Sequence, residues 1–271
     1  PELLLLGEFL PQQAIDETWD WKATTEVFGE FRYRYVKSLR GSLESGGLWK
    51  TLFEPHVQAV LRATPFGDSI DEILMQVWHR YYQIEPSVAI QPTLGAVFTT
   101  HAAAATLAMH EILLQNGMTA DESYQLLYDI GWRVYAHMGE SPLLIASAFT
   151  RDPYKRLKLA TDIFRSFPFG APSYQWIDVP STDGTVAFDC EKCPVAEFFE
   201  KRGAAELCVQ TFCKPDFPLA EKWGGDVRRS GTIASGAPSG DCRWTPRTAV
   251  EMHAGGSGDA ESGIAPNSHA N

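Results

Sequence analysis

The chain has 271 residues, of which 44% are hydrophobic and 21% are charged. This balance is typical of a globular protein with a sizeable core and excludes a disordered chain. Asp and Glu outnumber Lys and Arg by 34 to 23, which gives a net charge of −11. An acidic chain without a basic stripe argues against nucleic acid and anionic membranes as partners. Assembly into a homo-oligomer stays open.

Residues 1–23 have no periodic pattern, whereas residues 24–167 have the hydrophobic spacing of successive helices. Asp68 is predicted to cap one of these helices, Thr119 and Glu122 have the spacing of a capping box, and Asp152-Pro153 can break the last helix. The predicted helices cover residues 26–42, 68–81, 93–115, 119–137 and 141–167.

The longest uncharged stretch, residues 86–110, lies within this helical region. Polar residues such as Gln91, Thr99 and His101 interrupt it. We therefore expect that it does not span a membrane.

The sequence pattern changes at Pro168, after which Pro and Gly become frequent and the predicted elements become short. Strands are predicted over residues 185–188, 227–234 and 242–245. Helices are predicted to start at Cys193-Pro194 and at Asp216, with Asp216 as the cap of the second. Residues 248–271 are rich in Gly, Ser and Ala and are predicted to form a flexible tail.

The predicted fold class is α+β, with an N-terminal layer of several helices packed on a small C-terminal α/β region that contains a short sheet. Residues 168–247 form this α/β region and carry every cysteine. We expect it to form one domain with residues 24–167.

All five cysteines lie between Cys190 and Cys242. An odd number of cysteines in one short region is not the disulfide framework of a secreted protein. We therefore expect reduced thiols and a cytoplasmic location. The spacing contains one C-x2-C pair and one C-x4-C pair, which differs from the usual pairs of a zinc ribbon. Structural zinc and a redox dithiol stay minor alternatives, and we expect neither a metal nor another cofactor.

Cys193 precedes Pro194, which is the favoured first residue of a helix. A thiol at this position faces unpaired backbone N–H groups and the positive end of the helix dipole. Both effects lower the pKa of a thiol and favour the nucleophilic thiolate. The alternative is that Cys193 is a small apolar side chain that fills the corner between helix and strand.

The cysteine region resembles the L-2-amino-thiazoline-4-carboxylic acid hydrolase-like family. The resemblance rests on the Cys-Pro helix start at Cys193, the Cys-Lys-Pro-Asp-Phe element from Cys213 to Phe217, and the basic strand that leads to Thr232 and Gly236. It covers residues 90–247 and is specific over residues 186–245. If Asp241 and Arg243 are aligned with the Asp and Arg of the family, Gly240 stands where the family has Cys, and if Cys242 is aligned instead, the Asp is lost. Cys190 stands where the family commonly has an apolar residue.

The resemblance implies a hydrolase that opens a small cyclic amidine by adding water at the C=N carbon of the ring. Cys193 would supply a thiolate, or Asp216 would activate a water molecule. Arg229 or Arg243 would hold a substrate carboxylate. Cys208 and Cys213 would be further substrate-binding neighbours.

Four alternatives remain at this point. Asp216 could be only a helix cap, and Arg229 could be a solvated strand residue. The same fold could instead serve an isomerase or cyclase of secondary metabolism, or a non-catalytic module that binds small molecules.

His101 is a further candidate as an acid or base. It shares a helix face with Ala104, Ala105 and Ala108. Such small residues let a second helix approach closely, so this face is either a tight helix contact or the wall of a pocket.

Overall fold

The computed structural model describes residues 47–247, and side chains from residue 53 onward. The irregular segment 1–23, the helix predicted over residues 26–42 and the tail 248–271 lie outside the described residues. Within the described range the chain is α+β, which confirms the predicted class.

The first half of the described chain is a layer of helices. Their bounds are α1 Gly47–Leu61, α2 Ile70–Ile84, α3 Leu94–Gln115, α4 Ala120–Met138, α5 Glu140–Phe149 and α6 Pro153–Ser166.

Most of the predicted start signals of these helices are confirmed. The Thr119 hydroxyl accepts from the Glu122 amide and the Glu122 carboxylate accepts from the Thr119 amide, so the capping box is complete. Asp152 accepts from the Lys155 amide and starts α6 after a break. The prediction for Asp68 is wrong, because Asp68 lies in a 3-10 turn, Gly67–Ser69, and caps no helix.

Helix α3 is the centre of the helical layer. By length and composition it could cross a membrane, contrary to the expectation from its polar residues. However, 67% of its most apolar window is buried inside the protein, as in the core helix of a globular domain. It packs against α2, α4 and the short helix that follows Cys193.

The second half contains a four-stranded antiparallel sheet in the order β1-β2-β4-β3. The strands are β1 Gln175–Asp178, β2 Val186–Lys192, β3 Gly225–Arg228 and β4 Gly240–Pro246. Strands β2 and β4 extend beyond the predicted ranges, and β1 was not predicted.

The strand predicted over residues 227–234 is wrong beyond Arg228. The backbone N–H groups of Ser230 and Gly231 donate to the Asp241 carboxylate at 2.8 and 3.1 Å instead of pairing with a strand. The Thr232 hydroxyl then caps a 3-10 turn, Ile233–Ser235. Side chains that bind their own backbone compete with strand pairing in this way.

Short helical elements join the strands: α7 Pro194–Glu200, α8 Ala205–Cys208, the π-helical turn Val209–Cys213 and α9 Asp216–Lys222. Cys193 caps α7, as predicted. Asp216 is the first residue of α9 and makes no capping bond, so the cap prediction for Asp216 is wrong. Its carboxylate is therefore available for other contacts.

The buried side chains form two clusters. The first joins helices α1 to α4 with α7 and α8, and the second joins α5, α6 and α9 with the sheet. Both contain elements of the N-terminal layer and of the cysteine region. The two regions therefore share their hydrophobic core.

Candidate functional site

A cavity of about 220 Å³ is lined by residues of both clusters. All five cysteines line it, although they come from two strands, the start of α7, helix α8 and the π-helical turn. Most of the remaining lining is apolar or aromatic. A mostly apolar cavity with a few convergent polar groups is the usual form of a small-molecule site.

The sheet contributes one face to this cavity. Because side chains alternate along a strand, Phe188 and Cys190 of β2 lie on the same face as Cys242 and Trp244 of β4. Gly240 is the register partner of Cys190 and also lines the cavity. The two departures from the family pattern are therefore cross-strand neighbours at one place in the site.

Cys193 accepts a hydrogen bond from the Ala196 amide, with 3.4 Å between N and Sγ. The prediction that this position lowers the pKa of Cys193 is wrong. Burial raises the pKa to about 12, and the helix-start N–H groups of Ala196 and Val195 offset only part of that effect. Cys193 is therefore a neutral thiol at physiological pH.

Cys213 is the cysteine whose pKa falls below its ordinary value. The hydrogen bond from Cys208 is the largest cause, and the positive charge of Arg229 and the Thr232 hydroxyl act in the same direction against burial. The same bond, together with burial, raises the pKa of Cys208 well above its ordinary value. Burial likewise raises the pKa of Cys190, and that of Cys242 to about 12. Among the five thiols, Cys213 is thus the one whose pKa is shifted toward the thiolate.

The π-helical turn positions this thiol pair. The Lys214 amide donates to the Val209 carbonyl five residues earlier, with 3.1 Å between N and O. This turn places Cys213 near Cys208 at the cavity wall. Such single π turns inside helices occur frequently at functional sites.

Asp216 and Arg229 form an ion pair in the cavity wall, with 2.8 Å between Asp216 Oδ2 and the Arg229 guanidinium. The Tyr135 hydroxyl donates to the other oxygen, Oδ1, at 2.5 Å. Arg229 also donates to the Cys213 carbonyl. Burial lowers the pKa of Arg229, but the negative charges of Asp216 and Cys213 outweigh it and the net shift is upward. Arg229 is therefore a charged side chain beside Cys213, and its guanidinium is bound by Asp216 and the Cys213 carbonyl.

The structure does not bring Arg243 into this group. Its side chain lies on the opposite face of β4 and is paired with Asp189, with 2.8 Å between guanidinium and carboxylate. It also donates to the carbonyls of Phe188 and Cys242. Arg243 thus stabilises the pairing of β2 with β4 and does not line the cavity.

His101 is also outside the lining. It is buried between α2 and α3, and its Nδ1 lies 2.7 Å from the Tyr81 hydroxyl. Burial lowers the pKa of His101 to about 4. On the helix face that it shares with three alanines, Ala104 and Ala108 are fully buried in packing contacts, whereas Ala105 lines the cavity. Each of the two interpretations therefore holds for part of this face.

Sequence reasoning missed Tyr135 and Thr232 as parts of the site. Tyr135 lies in α4, 81 residues before the Asp216 that it contacts. Burial raises the pKa of its hydroxyl well above the ordinary value, so it stays a neutral donor. No local pattern marks such a residue, whereas Thr232 lies within the basic stretch that the resemblance had singled out.

Among residues 53–247, no group of three or more His, Cys, Asp or Glu side chains has an arrangement that could hold a metal ion. The five cysteines in that range are free thiols. The cysteine cluster thus converges on a cavity and not on a common ligand position.

The mostly apolar cavity with its few polar groups has the form of a small-molecule site. The family model described as L-2-amino-thiazoline-4-carboxylic acid hydrolase matches residues 144–244. This match confirms the family resemblance over that range, and the family's description points to hydrolase-like chemistry. The matched range contains the five cysteines, Asp216 and Arg229, whereas Tyr135 and the walls from α1 to α4 lie outside it. No curated protein and no solved structure matches the chain.

Proposed function

We propose that the protein is a hydrolase that opens a small cyclic amidine or a related C–N ring, with Cys213 as the nucleophile. The observation that carries the proposal is the lowered pKa of Cys213 at the wall of a cavity inside the family-matched range. A thiolate is the reactive form of cysteine, and a cyclic amidine presents an electrophilic carbon. In this proposal the substrate is a small molecule, the protein acts in the cytoplasm, and the reaction uses no cofactor.

The first step is addition of Cys213 across the C=N bond. Sγ of the thiolate forms a bond to the carbon, the C=N bond becomes a single bond, and the proton released when the Cys213 thiol ionised goes to the ring nitrogen. Water then replaces sulfur at that carbon, and the thiol regains its proton. The resulting carbinol breaks its ring bond to the leaving heteroatom, which takes the hydroxyl proton, so the net change is addition of one water.

Arg229 acts in this proposal as a positioning residue for Cys213. Its guanidinium holds the Cys213 carbonyl and its charge favours the thiolate. Since Asp216 already neutralises Arg229, neither side chain is free to bind a substrate carboxylate or to activate water. The roles first expected for Cys193, Asp216 and Arg229 are therefore replaced by Cys213 and an ion pair that supports it.

The test compares Cys213→Ser and Cys213→Ala with the matched control Cys193→Ser. Turnover of a series of cyclic amidines, which includes L-2-amino-thiazoline-4-carboxylate and uncharged amidines with an aromatic substituent, is followed by mass spectrometry as the gain of one water. We expect both Cys213 variants to lose about a hundredfold or more in rate, and the control to keep most of it.

Alkylation with iodoacetamide gives an independent readout that needs no substrate. At pH 8 the Cys213 thiol should react first, because burial raises the pKa of Cys190, Cys193 and Cys242, and the bond to Cys213 together with burial raises that of Cys208. Full turnover by Cys213→Ala, or alkylation of Cys193 before Cys213, would rule out the proposed nucleophile.

A further inference from the structure

The sheet side of the cavity is an aromatic chamber, formed by Phe164, Phe169, Trp176, Phe188, Trp223 and Trp244. Their rings contact one another edge to face or at a tilt. For example, the centroid distance is 5.5 Å between Trp176 and Phe188, and 5.6 Å between Trp223 and Trp244. Such a wall offers ring faces and edges to a planar ligand.

Of the residues whose side chains are described, four tryptophans line the cavity, and three of them donate their indole N–H to a group within the protein. Trp78 donates to Glu54, Trp176 to the Phe169 carbonyl and Trp223 to the Gly139 carbonyl, at 2.7 to 2.9 Å. Trp244 is 4% exposed, and its Nε1 has no hydrogen-bond partner in the described part of the protein. A buried donor without a partner is costly, and natural proteins seldom keep one without a reason.

A second unpaired donor lies in the same lining. Arg165 Nε is buried without a partner in residues 53–247, while its other nitrogens bind Asp162 and Asp178. The Arg165 guanidinium lies over the Phe188 ring, 4.2 Å from the centroid. The chamber therefore has two unpaired donors, Trp244 Nε1–H and Arg165 Nε–H, to which an acceptor atom of a ligand can bind.

The charge of the lining is balanced. Apart from the Cys213 thiolate of the proposed function, its charged side chains in the described range are Arg165, Asp216 and Arg229. Arg165 is held by two carboxylates, and Arg229 is paired with Asp216. An anionic ligand would have to break one of these pairs, whereas an uncharged ligand would not.

We propose that the aromatic chamber is a substrate subsite for an uncharged aromatic group that carries a hydrogen-bond acceptor, with Trp244 Nε1–H as its donor. This deepens the proposed function: the cyclic C–N ring meets Cys213 and an aromatic part of the same substrate occupies the chamber. The substrate class is thus a neutral aromatic compound with a carbonyl or ether oxygen, not a small amino-acid-like anion.

Three naphthalenes that differ in one group serve as probes: methyl 2-naphthyl ketone, 2-ethylnaphthalene and 2-naphthoate. Binding to the full chain is measured by equilibrium dialysis. We expect the ketone to bind about fivefold more tightly than the hydrocarbon, as one net hydrogen bond allows, and more tightly than the carboxylate.

Trp244→Phe keeps a ring but removes the donor, so it should bind the ketone and the hydrocarbon equally. Trp176→Phe is the matched control, because the Trp176 N–H is already paired, and it should keep the preference. Binding of 2-ethylnaphthalene by Trp244→Phe at wild-type strength shows that the variant is folded.

The wild-type comparison alone can overturn the proposal. Equal binding of ketone and hydrocarbon, tighter binding of the carboxylate, or no binding of any probe would each contradict it. Because dialysis requires no turnover, these outcomes are separate from those of the Cys213 variants. If the protein binds the ketone but hydrolyses no cyclic amidine, the result supports the proposed subsite and contradicts the proposed reaction.

Discussion

At the scale of single residues, Arg229 determines the electrostatics of the site. Its side chain is 9% exposed and contacts the carboxylate of Asp216, the carbonyl of Cys213 and the ring of Phe217. Removing one member of such a pair leaves the other charge buried and uncompensated. Asp216 is itself partly exposed, so solvent reduces the cost.

A double-mutant cycle of Arg229→Met and Asp216→Asn tests this coupling. We expect each single change to lower the free energy of unfolding by about 2 kcal/mol, and the double change to cost less than their sum by about 1 kcal/mol or more. Urea unfolding measures these values. Arg229→Met should also slow alkylation of Cys213 at pH 8, because the charge that favours the thiolate is lost. Strict additivity of the two changes would contradict the coupling.

At the scale of elements, Gly95 lets the start of α3 approach the chain at Pro168. A Cβ atom on Gly95 would lie 2.6 Å from the Pro168 Cα, which is closer than real contacts allow. At Gly131 in α4, the nearest atom is the Thr211 carbonyl oxygen at 3.5 Å, an ordinary contact. Packing therefore requires glycine at position 95 but leaves room for a Cβ atom at position 131.

Gly95→Ala should lower the free energy of unfolding by about 2 kcal/mol or more, because backbone must move. Gly131→Ala is its control and should raise the free energy by up to about 1 kcal/mol, since alanine favours a helix over glycine. Chemical denaturation of both variants measures the difference. Similar losses in both would show that the contact at Pro168 is not what selects glycine.

The helix boundaries that could be predicted from the sequence are those set by residues close together in the chain. Thr119 with Glu122, and Asp152 with Pro153, act within four residues, and the structure has both as predicted. Strand β1 depends on pairing with β2, which no signal near Gln175 reveals.

The same distinction holds in the site. The cap at Cys193 is local and was predicted, but the pKa of its thiol depends on burial by distant elements and was predicted with the wrong sign. Tyr135 reaches Asp216 only through the packing of α4.

At the scale of the whole molecule, stability should depend on pH through His101. Its pKa is about 4 in the folded protein, below the ordinary value of 6.5, because burial disfavours the charged ring. As the pH falls, the unfolded chain binds this proton first, so the free energy of unfolding decreases between about pH 6.5 and pH 4. Burial also lowers the pKa of His110, which adds to the effect.

The contribution of His101 over that range is up to about 3 kcal/mol. His101→Gln should therefore flatten the pH dependence of the unfolding free energy, whatever its effect at neutral pH. Urea unfolding at several pH values measures the slope. An unchanged slope in His101→Gln would show that His101 is not the group that titrates.

The π-helical turn Val209–Cys213 has a consequence for how the thiol pair can be inherited. In a regular α-helix, two residues five apart point in directions that differ by about 140°, whereas residues four apart nearly coincide. Loss of one residue between Cys208 and Cys213 would turn this segment into a regular helix and still leave the two thiols side by side. Related chains can therefore keep the same pair with three intervening residues in place of four, so the spacing can differ while the chemistry is retained.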